Sequence, residues 1–159
     1  MDIRLGERTE DSVRIYYEKA QDPVIKEFLP QKARSVEEAL EDYRNTLLPG
    51  ASSYGRTILL DGAYVGDIWI YCIDPNDEPN AMLSFCVFEK AEWGRGAATE
   101  AAKLFLNEVC ERFDLKTIGA FVFADNHASI RVLEKNGFEL MEEFEEEGRK
   151  SAYYLHRRK

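Results

Sequence analysis

The chain has 159 residues, 45% of them hydrophobic and 32% charged, a balance that predicts one globular domain over 1–159 with a single sizeable core. Thirty acidic against 21 basic residues leave a formal charge of −9, which disfavours nucleic acid as a partner because phosphate contacts need basic patches. The same charge suits either a well-solvated surface or a cationic amine substrate. No apolar run reaches the ~20 residues of a membrane helix, and Met1-Asp2-Ile3-Arg4 lacks the core of a signal peptide, so no membrane association and a cytoplasmic location are expected.

In chain order, Thr9 caps a helix whose apolar residues Val13, Tyr16, Tyr17 and Ala20 recur at helical spacing. Asp22-Pro23 pairs a capping residue with a proline at the first helical position and starts a short turn through Phe28. Ser35-x-x-Glu38 reads as a capping box, with Val36, Ala39, Leu40, Tyr43 and Leu47 on one face and Pro49-Gly50 as the stop. The period then changes. Thr57 to Leu60, the Asp61-Gly62 turn and Ala63 to Ile73 predict a β-hairpin, and Met82 to Phe88 a third strand.

A helix is expected from about Ala97 to Phe113, a strand at Thr117 to Phe123, and a short helix from Ala128 to Lys135 closed by Gly137. Phe138 to Phe144 and Ser151 to His156 form a last hairpin, whose acidic run Glu142, Glu143, Glu145, Glu146 and Glu147 suits a solvated edge. This order predicts a mixed α/β (α+β) sheet, partly antiparallel and covered by helices. Cys72, Cys86 and Cys110 are an odd, widely spaced set within apolar segments. They predict buried free thiols rather than disulfides, and no metal site.

The segment Trp93-Gly94-Arg95-Gly96-Ala97-Ala98-Thr99-Glu100-Ala101 joins a strand to a helix through two glycines. Such a turn leaves backbone N–H groups unpaired at the positive end of the helix, a site for phosphate or pyrophosphate. A dinucleotide site needs a third glycine where Thr99 stands, and a P-loop needs a Gly-Lys-Ser/Thr that the chain lacks. A tight turn without a ligand is the alternative for this segment taken alone.

Trp93 to Ala98 resembles Gln/Arg-x-x-Gly-x-Gly/Ala, the acetyl-CoA signature of the GNAT N-acetyltransferase superfamily, with Trp93 in the first place. Trp93 to Ala101 and Asn126-His127-Ala128-Ser129-Ile130-Arg131-Val132-Leu133-Glu134-Lys135-Asn136-Gly137-Phe138 are similar to the branch that acetylates ribosomal-protein N-termini, the RimJ/RimL type. Asp22-Pro23, Leu29-Pro30 and Val65-Gly66-Asp67-Ile68 also fall where that branch has similar residues, so the resemblance spans almost the whole chain.

The resemblance implies the GNAT fold, a mostly antiparallel twisted sheet with a splayed strand pair at a bulge and helices on both faces. It implies acetyl-CoA as cosubstrate and no metal. Pantetheine would lie in the splay as a missing strand partner, with main-chain atoms of Cys86 and Phe88 on the pairing edge. The pyrophosphate would be wrapped by Gly94, Arg95, Gly96, Ala97, Ala98 and Thr99, with Trp93 leading the motif. Asn126 would tie the end of the splayed strand near the cofactor, and its other use is a helix cap. Ser129 would stand near the thioester sulfur as the proton donor to the departing thiolate.

Two family positions are vacant. Leu133 stands where many members carry a general-acid tyrosine, and Met82 where some carry a glutamate base. Asp67 and Glu89 are the remaining candidates for a base. An α-amine with pKa ~8 is partly neutral at cellular pH, whereas a lysine at ~10.4 needs more help, so the missing base favours an α-amine or a water-relayed proton. Backbone N–H groups of the splayed strand would serve the oxyanion, with direct transfer in a ternary complex. The acceptor would be a small-molecule or peptide amine, Tyr16, Tyr17 and Tyr43 either lining its cleft or packing in the core, and a homodimer is left open. A non-catalytic acyl-CoA-binding module is the other reading, favoured by the two vacancies.

Overall fold

The computed structural model describes residues 1–158. A seven-stranded sheet runs in the order β1 (Ile3–Gly6), β2 (Tyr54–Leu60), β3 (Ala63–Asp74), β4 (Asn80–Val87), β5 (Thr117–Phe123), β7 (Arg149–Arg157), β6 (Glu139–Glu146). Every neighbouring pair is antiparallel except β4 and β5. The helices are α1 (Glu10–Lys19), α2 (Pro23–Phe28), α3 (Val36–Asn45), α4 (Ala97–Arg112) and α5 (His127–Lys135). Among the described residues no helix is long and apolar enough to cross a membrane.

Local chemistry accounts for the element ends. Thr9 and Ser12 form a reciprocal capping box on α1, and Asp22 caps α2 with Pro23 inside its first turn. The two hairpin turns, Asp61-Gly62 and Glu147-Gly148, have positive φ at both residues, the backbone of a type I′ turn. Gly137 ends α5 in a Schellman motif, with the Phe138 N–H on the Leu133 carbonyl at 3.0 Å and the Gly137 N–H on the Glu134 carbonyl at 3.1 Å.

Four expectations change. Strand β1 was not anticipated. Ser35 caps α3 through the Glu38 N–H, but the Glu38 carboxylate accepts from the Arg34 N–H instead of closing the box. Helix α3 ends at Asn45, so Leu47 lies in the following turns and is exposed rather than on the apolar face. Cys72 is exposed, because the register slip between Tyr71 and Asp74 gives it a φ of 52° and turns it out of the strand alternation.

Strand alternation sorts the sheet faces. Ile58, Ile68, Ile70 and Leu83 pack with Ala101, Phe105 and Val109 of α4 in the main core, all fully or almost fully buried. On the opposite face, Ala20, Ile25 and Phe88 form a smaller cluster with Tyr16, Tyr64 and Cys86, anchoring α1 and α2 over β3 and β4. Arg149 holds the far side of α2. Its guanidinium donates to the Glu27 carbonyl at 2.9 Å and lies 3.6 Å from the Phe123 ring centroid.

Candidate functional site: a wedge between two strands

Strands β4 and β5 pair only at Asn80–Thr117, Ala81–Ile118 and Met82–Gly119. Beyond this point β5 continues against β7 through Phe123, while β4 continues against β3 through Val87. The facing edges of Leu83–Val87 and Ala120–Phe123 therefore diverge into a wedge whose main-chain groups have no strand partner across it. The register irregularity nearest this splay lies on β3, at Cys72 and Ile73, and not within β4. Gly66 lets β3 approach β4 closely here: a Cβ at that position would stand 2.1 Å from the Cys86 carbonyl oxygen.

A cavity of about 720 Å³ opens at the wide end of the wedge, between Phe85 to Val87 of β4 and Asp125 to Ser129 after β5. Its base is the turn after β4. Gly94 and Gly96 both take left-handed φ, 81° and 86°, and Gly96 caps α4 with no side chain. A Cβ on Gly94 would meet nothing within 4 Å, so conformation rather than crowding requires glycine there. The N–H groups of Ala97, Ala98 and Thr99 open the 16-residue α4 without a capping side chain, an arrangement that favours an anion.

Of the residues the sequence singles out for the cofactor, Cys86, Trp93, Gly94, Gly96, Ala97, Ala98, Thr99, Asn126 and Ser129 line this cavity. The Trp93 indole N–H donates to the Val87 carbonyl at 2.6 Å, so the side chain ties the glycine turn to the end of β4. Asn126 caps α5, its Oδ1 accepting the Ser129 N–H at 3.2 Å. Phe88 and Arg95 lie outside the lining. Phe88 is buried against Tyr16 and Tyr64, and Arg95 pairs with Glu92 at 2.7 Å. Sequence reading missed Arg131 and Lys135, which sit one helical turn apart on α5 and bring positive charge to the cavity. Their i,i+4 spacing was the available signal.

A second cavity, about 700 Å³, lies under α1 and α3 on the other side of β4. Tyr16, Tyr17, Tyr43, Trp69 and Tyr71 line it with Arg8, Asp67 and Ser84. The tyrosines thus serve a cleft as well as packing. Leu29 borders both cavities, and Ser84 and Cys86 face them from two positions apart on β4.

Asp67 is buried at the floor of the second cavity. Arg8 Nε approaches its Oδ2 at 3.1 Å, with the N–H off the line to the oxygen, and the Tyr64 hydroxyl donates to its Oδ1 at 2.5 Å. Burial raises the Asp67 pKa, and Arg8 and Tyr64 oppose that shift. Burial also pushes the Cys86 thiol up to about 12, so it stays protonated. Glu89 joins neither cavity. It pairs with Lys19 at 3.5 Å, half-exposed after β4. Leu133 is buried in the main core, and the Met82 sulfur lies over Gly119 beside Tyr153 at the apex of the wedge. Among the described residues no group of three or more His, Cys, Asp or Glu could hold a metal ion.

The family model described as "Acetyltransferase (GNAT) domain" matches residues 3–139. Among curated proteins there is no significant match. Similar solved structures include the aminoglycoside acetyltransferase AAC(6')-Ib in complex with coenzyme A, with TM-score 0.81 at 18% identity, covering 99% of this chain and 95% of that one. RimL, the ribosomal L7/L12 alpha-N-protein acetyltransferase, solved with coenzyme A, has TM-score 0.81 at 21% identity, with 98% and 93% coverage. Spermidine N-acetyltransferase from Vibrio cholerae, solved with CoA and spermine, has TM-score 0.86 at 14% identity, with 98% and 95% coverage. With a seven-stranded sheet splayed between β4 and β5 and a family match over most of its length, the chain belongs to the GNAT acetyltransferase family.

Proposed function

We propose that the protein moves the acetyl group of acetyl-CoA to a primary amine by direct transfer within a ternary complex. The wedge between β4 and β5, ending on the uncapped amides of α4, is the observation that carries this reading. Pyrophosphate binds at Gly94 to Thr99, with Arg131 and Lys135 adding charge. Pantetheine pairs with the free edge of β4, bringing the thioester beside Cys86, Asn126 and Ser129.

The second cavity receives the amine. Its aromatic walls and its Asp42 carboxylate suit a cation-bearing acceptor, of the kind of the polyamines, aminoglycosides and protein N-termini that the similar structures name. Asp67 is engaged by Arg8 and Tyr64, so we assign the amine proton to a water relay and departure of the thiolate to Ser129. The RimJ/RimL branch, a single domain over 1–159 and work in the cytoplasm complete the proposal.

A thiol-release screen with acetyl-CoA across peptides, polyamines and aminoglycosides tests it. Release above the amine-free rate is expected with at least one class. Calorimetric binding of acetyl-CoA with no release from any class would favour the non-catalytic module, and no binding at all would sink the cofactor site.

A further inference from the structure

The hydroxyl of Tyr16 is an anomaly in the second cluster. It is buried, and its one polar neighbour is the Cys86 thiol, a weak hydrogen-bond partner, with no stronger one in reach among the described residues. Burying a hydroxyl with only a thiol beside it is unfavourable, so an underused donor in this cluster points to a stronger partner that arrives later. The ring packs edge-on to Trp69 and Phe88, with centroids 5.9 Å and 6.3 Å away. The hydroxyl lies beside the Cys86 thiol.

That location is where the two cavities approach each other. Tyr16 lines the cavity under α1 and α3, and Cys86 lines the wedge. An acyl group carried along β4 must meet the amine at this wall. The other side chains there are committed, so Tyr16 is the side-chain donor that can join the unpaired main-chain N–H groups of β4. Tyr64 donates to Asp67, Arg8 pairs with it, and the thiol of Cys86 is a weak donor.

We propose that the Tyr16 hydroxyl donates a hydrogen bond to the carbonyl oxygen of the acetyl thioester, and holds that oxygen as it becomes an oxyanion. The amine nitrogen attacks the carbonyl carbon, and the C=O π pair moves onto oxygen beside Tyr16. The pair returns as the C–S bond breaks, the sulfur leaves with its electrons as thiolate and is protonated, and the nitrogen loses its proton to water. Tyr16 keeps its own proton throughout. Burial raises its pKa well above the usual tyrosine value, which suits a fixed donor and excludes it as a base. The inference rests on the acetyl-CoA site proposed above.

Tyr16→Phe removes only the hydroxyl, and because its one contact in the free protein is the weak one to the Cys86 thiol, the melting temperature should stay nearly level. Calorimetry with acetyl-CoA and with CoA separates the carbonyl contact from the rest of the site. The variant should bind acetyl-CoA about 2- to 10-fold more weakly while binding CoA as before. Amine-dependent thiol release should fall about 10²-fold in kcat, with little change in the amine KM. An unchanged ratio of acetyl-CoA to CoA affinity would overturn the role of Tyr16, as would a melting temperature lowered by several degrees, which would give the hydroxyl a structural partner. Absence of heat with either ligand in the unsubstituted protein would instead remove the cofactor site on which the inference stands.

Discussion

Asn136 reaches across from the end of α5 to the first turn of α4, its Nδ2 donating to the Thr99 carbonyl at 3.2 Å and to Val132 of its own helix at 2.9 Å. Thr99 belongs to the row of amides that opens α4 over the wedge, and Ser129 and Arg131 sit on α5. One side-chain amide thus fixes the spacing between the two helices that border the cavity. Asn136→Ala should cost about 1–2 kcal/mol by urea titration, because the part-buried Thr99 and Val132 carbonyls lose a donor. It should also weaken acetyl-CoA binding in calorimetry, although Asn136 does not line the cavity. A stability loss with full affinity retained would show that the bridge does not set the site.

Gly66 makes a prediction of the opposite kind, since no ligand need touch it. Its missing Cβ leaves room for the Cys86 carbonyl and the Val87 Cα, which would lie 2.1 Å and 2.8 Å away. Both obstacles are backbone, so Gly66→Ala must push β4 away from β3 and into the wedge. The expected result is a loss of about 2–3 kcal/mol, within the range for overpacking, together with loss of acetyl-CoA binding. A variant that melts normally and binds normally would contradict the close approach of the two strands.

Elements set by strong local chemistry are legible in the sequence, and those that tertiary partners decide are not. The Asp61-Gly62 turn, the Thr9 and Asp22 caps and the Gly137 terminus carry their own geometry, and all formed as expected. Strand β1 did not announce itself. Ile3 to Gly6 is only four residues long and becomes a strand by pairing with Thr57 to Leu60. The glycine motif was legible, while its companions Arg131 and Lys135 look like any charged pair on a helix. Cys72 was expected inside because its segment is apolar, and a bulge that no residue type signals turned it out. The second cavity depends on how α1 and α3 settle over β3, which periodicity cannot reveal.

Asp67 sets a pH dependence whose sign follows from its burial. Its pKa in the folded protein is raised above the ordinary value of 3.8, so the native state binds this proton more tightly than the unfolded chain does. Stability contributed by the group is therefore full below pH 3.8 and declines as the pH rises through the raised value. Tyr64, Tyr16, Cys86 and Arg8 are the polar groups around it, and Arg8 is the only cation among them. Asp67→Asn removes the titration. The stability of the natural chain minus that of the variant should fall as the pH climbs from 3.8, measured by denaturant titration at a series of pH values. A difference that grows with pH would mean that Arg8 outweighs burial. Arg8→Ala should steepen the decline, and it should cost about 3 kcal/mol near neutrality because it strands a buried carboxylate.

Ser129 separates catalysis from capping on a single residue. Its backbone N–H is held by Asn126, so the cap survives replacement of the side chain, and the residue lines the cavity. Ser129→Ala should therefore melt with the natural chain and bind acetyl-CoA with similar affinity, while thiol release falls about 10²-fold if the hydroxyl protonates the leaving sulfur. Asn126→Ala is the companion variant. It loses the cap at a cost of about 1 kcal/mol and leaves the serine hydroxyl in place. Stopped-flow detection of the released thiol, compared across both variants, assigns the chemistry. A Ser129→Ala enzyme with full turnover would leave protonation of the thiolate to solvent.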